Sequence, residues 1–220
     1  MILIAPQTAE HLFWIGRYIQ RAESMTRLVI DIFDRILDDN PQESHSFYAK
    51  LGVTLNYQSN QEFLRKAIFD LEFVSLISIV NNARENAVLA RASLPNRMFG
   101  RINGLYLRYQ VAKEEPKTSI FWLESTLQEL DAIWGNLELN IVHMHEKDLI
   151  QLGRVVEKMD LNVRLFDSLE ATALDVTRVN DLLVKLGQHT HKVTLHSSDP
   201  LKTLHSINSI YKTMIESHES

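Results

Sequence analysis

Cysteine is absent from the 220 residues, which excludes disulfides, thiol catalysis, zinc–thiolate sites and iron–sulfur clusters at once. Helix breakers are scarce, with seven glycines and five prolines. A β-sandwich or an α/β sheet of this length needs far more turn punctuation, so the scarcity excludes an all-β fold and points to long helices. A surplus of positive charge is missing as well. Lys and Arg number 23 against 28 Asp and Glu, a net charge of -5, so the chain lacks the electrostatic footprint of a nucleic-acid or anionic-membrane binder. No apolar run approaches the roughly 18 residues of a membrane span. The opening MILIAPQTAEH has no basic region before its short apolar run, unlike a signal peptide or an anchor. There is no P-loop, no GxGxxG and no GxSxG elbow. These absences lead to the expectation of a soluble cytoplasmic protein, for which the lack of cysteine suits a reducing compartment.

What is present is helical periodicity between punctuation marks. The prolines stand at 6, 41, 95, 116 and 200. Pro41 after Asn40 and Pro200 after Asp199 place proline at a first helical position behind a good N-cap, and Ser59 with Glu62 has the spacing of a capping box. Helices are expected at 8–38, 41–52, 60–72, 74–93, 95–113, 119–143, 146–187 and 200–217. Gly187 and the run GQHTHKVTLHSSDP mark a stop and a loop. Long helices with short connections predict an all-α, single-domain antiparallel helical bundle over residues 1–220, with about six to eight helices.

An internal repeat underlies the bundle. Residues 12–29, LFWIGRYIQRAESMTRLV, align without a gap on 149–166, LIQLGRVVEKMDLNVRLF. Leu12/Leu149, Gly16/Gly153, Arg17/Arg154, Arg27/Arg164 and Leu28/Leu165 are identical, where average residue usage gives about one identity over such a span. The repeat stops there, so a duplicated long helix with pseudo-twofold character is expected rather than a solenoid. On a helical wheel Gly16, Gln20, Glu23 and Arg27 fall on one stripe, as do Gly153, Glu157, Asp160 and Arg164. Leu12, Ile15, Ile19 and Ala22 form the adjoining apolar arc, which puts the stripe at the edge of the buried face. Arg17 and Arg21, like Arg154 and Lys158, lie about 100° further round, nearer water. Glu23 and Asp160 are expected to be mostly buried and paired with arginine. Two readings of the stripe compete: an ion-pair network that fixes helix register, or a pocket for an anionic group.

A central helix carries Ala83, Ala87, Ala90 and Leu94 on one small, packing face, with Arg84 and Arg91 on another and Asn82 and Asn86 on a third. Arg84, Asn86 and Arg91 join a site only if they meet the duplicated stripe. The candidate polar or anion-binding cluster is therefore Arg17, Gln20, Glu23, Arg27, Arg84, Asn86, Arg91, Arg154, Glu157, Asp160 and Arg164. Histidines 143, 145, 189, 191 and 196 with Glu146 do not make a convincing metal site. No Glu-x-x-His pair occurs, and His-x-His on a helix directs its rings about 200° apart. No metal or cofactor is expected. Trp14, Trp122 and Trp134, with Phe13, Phe63, Phe69, Phe73 and Phe121, are read as core rather than a stacking platform, because the basic surplus that nucleic-acid stacking needs is absent.

Three blocks in order, TAEHLFWIGRYIQRAESMTRL, SIVNNARENAVLARASL and LIQLGRVVEKMDLNVRLFD, resemble the alpha-E domain family, a bacterial all-helical family of undefined activity. They match family blocks of the type LYWLGRYxERAE…RL, S…ARENARxxR and LGRxLERxDxxxRLLD. Gln20 replaces the acid usual in the first block, and Val88 stands where the family tends to have Arg. The resemblance implies a genomic setting beside ATP-grasp ligases and transglutaminase-like proteases, and with it a non-catalytic or accessory role beside such a partner in peptide or amide-bond metabolism. The alternative is an enzyme or ligand-binding protein whose pocket is built from Arg17, Glu23, Arg27, Arg84, Glu157, Asp160 and Arg164. A plain scaffold, with this chain as a homodimer, is the third reading.

Overall fold

A computed structural model describes residues 4–38, 42–70, 74–114, 118–140, 144–166, 172–188, 192–196 and 199–216. Among them the regular elements are helical: α1 (Pro6–Leu37), α2 (Gln42–Lys50), α3 (Asn60–Arg65), α4 (Leu76–Leu89), α5 (Asn96–Glu114), α6 (Ile120–Asn140), α7 (Met144–Phe166), α8 (Ala173–Lys185) and α9 (Pro200–Glu216). α3 runs on into a π-helical turn at Lys66–Asp70, and a 3-10 turn at Arg91–Ser93 follows α4. None of the described helices is long and apolar enough to cross a membrane.

Local chemistry sets the ends where the sequence suggested it would. Ser59 Oγ accepts from the Glu62 amide (3.2 Å), while the Glu62 carboxylate accepts from the Gln58 amide (2.7 Å). The first satisfies an amide that a helix start leaves without a partner, and the second ties down the residue before the cap. Asp199 caps α9 through the Lys202 amide (3.1 Å), with Pro200 as the first helical residue. Gly187 takes φ 81°, and the Gly187 and Gln188 amides bond back to the carbonyls of Val184 and Leu183 (3.0 and 2.8 Å). That left-handed closure ends α8. Asn40 and Pro41 lie outside the described residues.

α1 is the hub, in contact with α2, α3, α4, α6, α7 and α9. Burial therefore extends beyond a single stripe: Leu12, Phe13, Ile15, Ile19, Ala22 and Val29 are each at most 1% exposed. The small-residue face expected of the central segment is buried, Ala83 and Ala87 on α4 and Ala90 and Leu94 just beyond its end. Phe121, expected in the core, is 80% exposed. It sits in the first turn of α6, and the periodicity that buries Leu123, Thr126 and Leu130 turns it outward. Phe73 lies outside the described residues.

The expected helix 146–187 is two helices. Lys158 Nζ lies 2.9 Å from Asp175 Oδ2, whereas residues 17 positions apart on a continuous helix are separated by about 25 Å. α8 thus folds back along α7, and Arg178 on α8 bonds Gln151 near the start of α7 (3.4 Å). No proline or glycine lies between 154 and 186, so the usual break signals are missing there. α5 likewise runs back along α4: Arg84 meets Asn103, and Arg91, just past the end of α4, lies over the earlier Phe99. α1 and α7, far apart in sequence, run in the same direction: Arg17 and Arg21 meet Glu157, and Met25 shares a cavity wall with Asp160 and Arg164.

Candidate functional site

Two glycines seat the duplicated helices on one another. A Cβ on Gly16 would fall 2.0 Å from the Ile150 carbonyl oxygen, and one on Gly153 would fall 2.0 Å from that of Phe13. Phe13 and Ile150 are equivalent positions of the repeat, so the contact is reciprocal. Only a residue without a side chain allows backbones this close.

The same reciprocity carries the polar groups. Arg17 Nε donates to Glu157 Oε2 (2.7 Å), and its counterpart Arg154 Nε donates to Gln20 Oε1 (3.1 Å). Along each helix, Arg27 pairs with Glu23 (3.2 Å) and Arg164 with Asp160 (3.1 Å). Glu157 is completely buried and shared: Arg21 Nε bonds its Oε1 and Arg21 Nη2 its Oε2 (3.1 Å). Arg17 Nη2 lies 3.9 Å from Asp160 as well. Burial opposes the charge on Arg21, but the field of Glu157 and its hydrogen bond outweigh it, and the guanidinium pKa is held above its ordinary value. Arg154 is shifted the other way. Burial lowers its pKa, Glu23 opposes the shift, and Arg178 adds to it.

Arg17 was expected nearer water and is instead 6% exposed. The glycine contact brings α7 over the flank of α1, and Arg17 also lies over the Trp14 ring (5.1 Å). Asp160 is buried as expected, at 3%. Glu23 is only partly so, accepting from Trp134 Nε1 (2.9 Å) while its partner Arg27 is exposed.

The structure brings Arg17, Glu157, Asp160 and Arg164 together on one side of the α1–α7 pair, and Gln20, Glu23, Arg27 and Arg154 on the other. It does not bring Arg84 and Asn86 of α4, or Arg91 of the turn after it, to either group. Arg84 bonds Asn103 (3.3 Å) and lies over Tyr106, and Arg91 bonds the Leu94 carbonyl (3.2 Å) and lies over Phe99. Both cations are used against α5 or its approach. Asn86 Oδ1 meets His11 Nδ1 (3.0 Å) at the α4–α1 contact.

The sequence reading omitted Arg21, Lys50 and Trp134 from the cluster. Arg21 had a signal, since it follows Arg17 by one helical turn and so shares its face. Lys50 on α2 and Trp134 on α6 had none, because only packing brings those helices to the pair. Trp134 fills its side, with Arg154 over its ring at 4.1 Å. Opposite, a cavity of about 440 Å³ opens between Arg21, Met25, Lys50, Leu51, Val74, Ile79, Asp160, Leu161 and Arg164. No group of His, Asp and Glu among the described residues is arranged to hold a metal ion. Histidines 143, 189 and 191 lie outside them.

No curated protein and no solved structure matches this chain. Residues 4–209 match the family model Alpha-E, described as a predicted alpha-helical domain with a conserved ER motif. This chain contains no Glu-Arg dipeptide. Its two blocks carry Gln20–Arg21 and Glu157–Lys158, where the family-type blocks that they resemble read Glu-Arg. Folding sets the surviving halves face to face, Arg21 of one copy on Glu157 of the other. By a match spanning most of its length, the chain belongs to the Alpha-E family.

Proposed function

We propose that this protein is a non-catalytic, accessory helical component that works beside an ATP-grasp ligase or a transglutaminase-like protein in peptide or amide-bond metabolism. The observation that carries the non-catalytic reading is how the stripe's charges are used. Glu157 is fully buried under Arg17 and Arg21, Asp160 is buried and holds Arg164, and Glu23 is held by Arg27 and Trp134. A general base must reach the proton it removes. Carboxylates already engaged by guanidinium groups are suited to fixing the register of two helices instead. The choice of partner class rests on the family resemblance. The alternative, an enzyme site shared by the duplicated helices and α4, loses Arg84, Asn86 and Arg91, which pack elsewhere.

The test is reconstitution with an ATP-grasp ligase or transglutaminase-like protein encoded beside the chain's gene. The expected result is that this chain alone turns over neither ATP nor peptide, that it co-elutes with the partner, and that it changes the partner's amide-forming or amide-cleaving rate. Turnover by the isolated chain, lost in Glu157→Gln while the fold persists, would overturn the proposal. So would a partner that neither binds the chain nor responds to it.

A further inference from the structure

The cavity beside Glu157 has a chemical character that the paired network does not explain. Of the residues that line it, Arg21, Lys50 and Arg164 are three cations against the one carboxylate of Asp160, while Glu157 behind the wall pairs with Arg21 and Arg17. The cluster thus holds two more positive charges than negative ones, in a chain whose net charge is -5. Among the described residues, donors are also left over. Arg164 uses Nε and Nη2 on Asp160 and Arg21 uses Nε and Nη2 on Glu157, so neither set of bonds takes the Nη1 group. Lys50 Nζ spends one hydrogen on the Leu165 carbonyl (2.6 Å). The remaining wall, from Met25, Leu51, Val74, Ile79 and Leu161, is apolar.

We infer that this cavity binds a small amphiphilic anion, a carboxylate or phosphate head carried on a short apolar body. The head sits at Lys50 and Arg164, where charge-assisted and planar two-point contacts are available. The body lies along Leu51, Val74 and Ile79. At about 440 Å³ the space falls within the roughly 300–1,000 Å³ of small-molecule sites. The pseudo-equivalent side is closed to such a ligand: Trp134 covers Arg154 and bonds Glu23, and Asp175 takes Lys158. The duplicated pattern therefore offers no second site of this kind on that side. Anion binding goes beyond the accessory role and does not depend on it, since the isolated chain suffices to test it.

The test is calorimetry on the full chain with octanoate, octyl phosphate and octanol, each with a circular dichroism check of the fold. The expected result is saturable one-to-one binding of octanoate or octyl phosphate, with octanol at least about tenfold weaker, the worth of one lost hydrogen bond to a charged group. The tighter of the two anions identifies the head. Lys50→Gln, an exposed position bonded to a backbone carbonyl, should weaken binding about tenfold with folding unchanged. Arg164→Gln should do the same, and Val74→Trp should block the apolar end. If Arg164→Gln or Val74→Trp does not fold, Lys50→Gln decides. Absence of binding by both anions, equal binding of octanol, or binding indifferent to Lys50→Gln would overturn the inference.

Discussion

On one side of the α1–α7 crossing a buried carboxylate is shared by two arginines and a cavity opens beyond it. On the other, an amide stands in the carboxylate's place and a tryptophan occupies the space. The two sides descend from one sequence pattern, so their difference isolates what single residues do. Glu157 can engage Arg17 and Arg21 together because it has two ionised oxygens and four acceptor sites. Gln20 offers one carbonyl oxygen, which takes Arg154, and its amide nitrogen turns to Ser24 (3.0 Å). Lys158, at the position of Arg21, then finds its carboxylate on α8. The asymmetry of the dipeptides Gln20–Arg21 and Glu157–Lys158 becomes an asymmetry of packing.

The largest break in the comparison should come from removing the buried acid. Glu157→Ala leaves Arg17 enclosed without its main partner and is expected to cost about 3–5 kcal/mol. Gln20→Ala, which removes a neutral acceptor from Arg154, should cost about 1–2 kcal/mol. Urea unfolding followed by circular dichroism measures both. Equal costs would mean that the carboxylate has no special role.

The glycines test what the two sides still share. Gly16→Ala and Gly153→Ala each place a methyl group against a backbone carbonyl, which must push the helices apart. Each is expected to lose about 1–3 kcal/mol, by similar amounts. A marked difference between the two in melting temperature would show that the contact is not reciprocal in solution.

Gln20→Glu restores the missing acid opposite Arg154. The gain should be at most about 1 kcal/mol at pH 7, since Glu23 stands one turn away and repels it. Paired with Arg154, the new carboxylate has its pKa depressed in the folded state. Its stabilisation is therefore complete above its unfolded value, near pH 4.3, and is lost as pH falls through the folded value. Melting curves at pH 7 and pH 3 should differ accordingly, and a gain that persists at pH 3 would contradict the pairing.

The smallest effect concerns Asp148, on the α7 face that adjoins α8. Burial raises its pKa, while Lys185, His145 and Lys147 pull it down without cancelling the shift. A carboxyl with a raised folded pKa contributes its full stabilisation below its unfolded value, and loses it as pH rises through the folded value. Asp148→Asn should thus gain less than about 0.5 kcal/mol at pH 7 and nothing at pH 3. A loss at pH 7 would show that Asp148 is stabilised as an anion.

How far the sequence reached depended on the distance between the groups concerned. Ser59, Asp199 and Gly187 delimit helices through hydrogen bonds spanning at most five residues, and all three acted as their types predict. The stripe of Gly, acid and Arg was legible because a helix turns every residue by a fixed angle. What that angle leaves open is which element stands opposite. Arg17 was placed toward water because the wheel says nothing of α7, and the fold-back after α7 was missed because no breaker residue announces it.

The sequence by itself determined that the chain is helical, where most helices start and stop, and that two of them are copies bearing glycine at the same point. These follow from local propensity, capping and periodicity, which act within a few residues. Tertiary structure alone decided that the copies lie in the same direction, that Arg21 reaches Glu157, that Arg84 and Arg91 belong to α5, and that a cavity faces Lys50 while Trp134 fills the other side. Each of these depends on residues brought together across many turns of chain, where the close packing of side chains, and not their order, sets the neighbours.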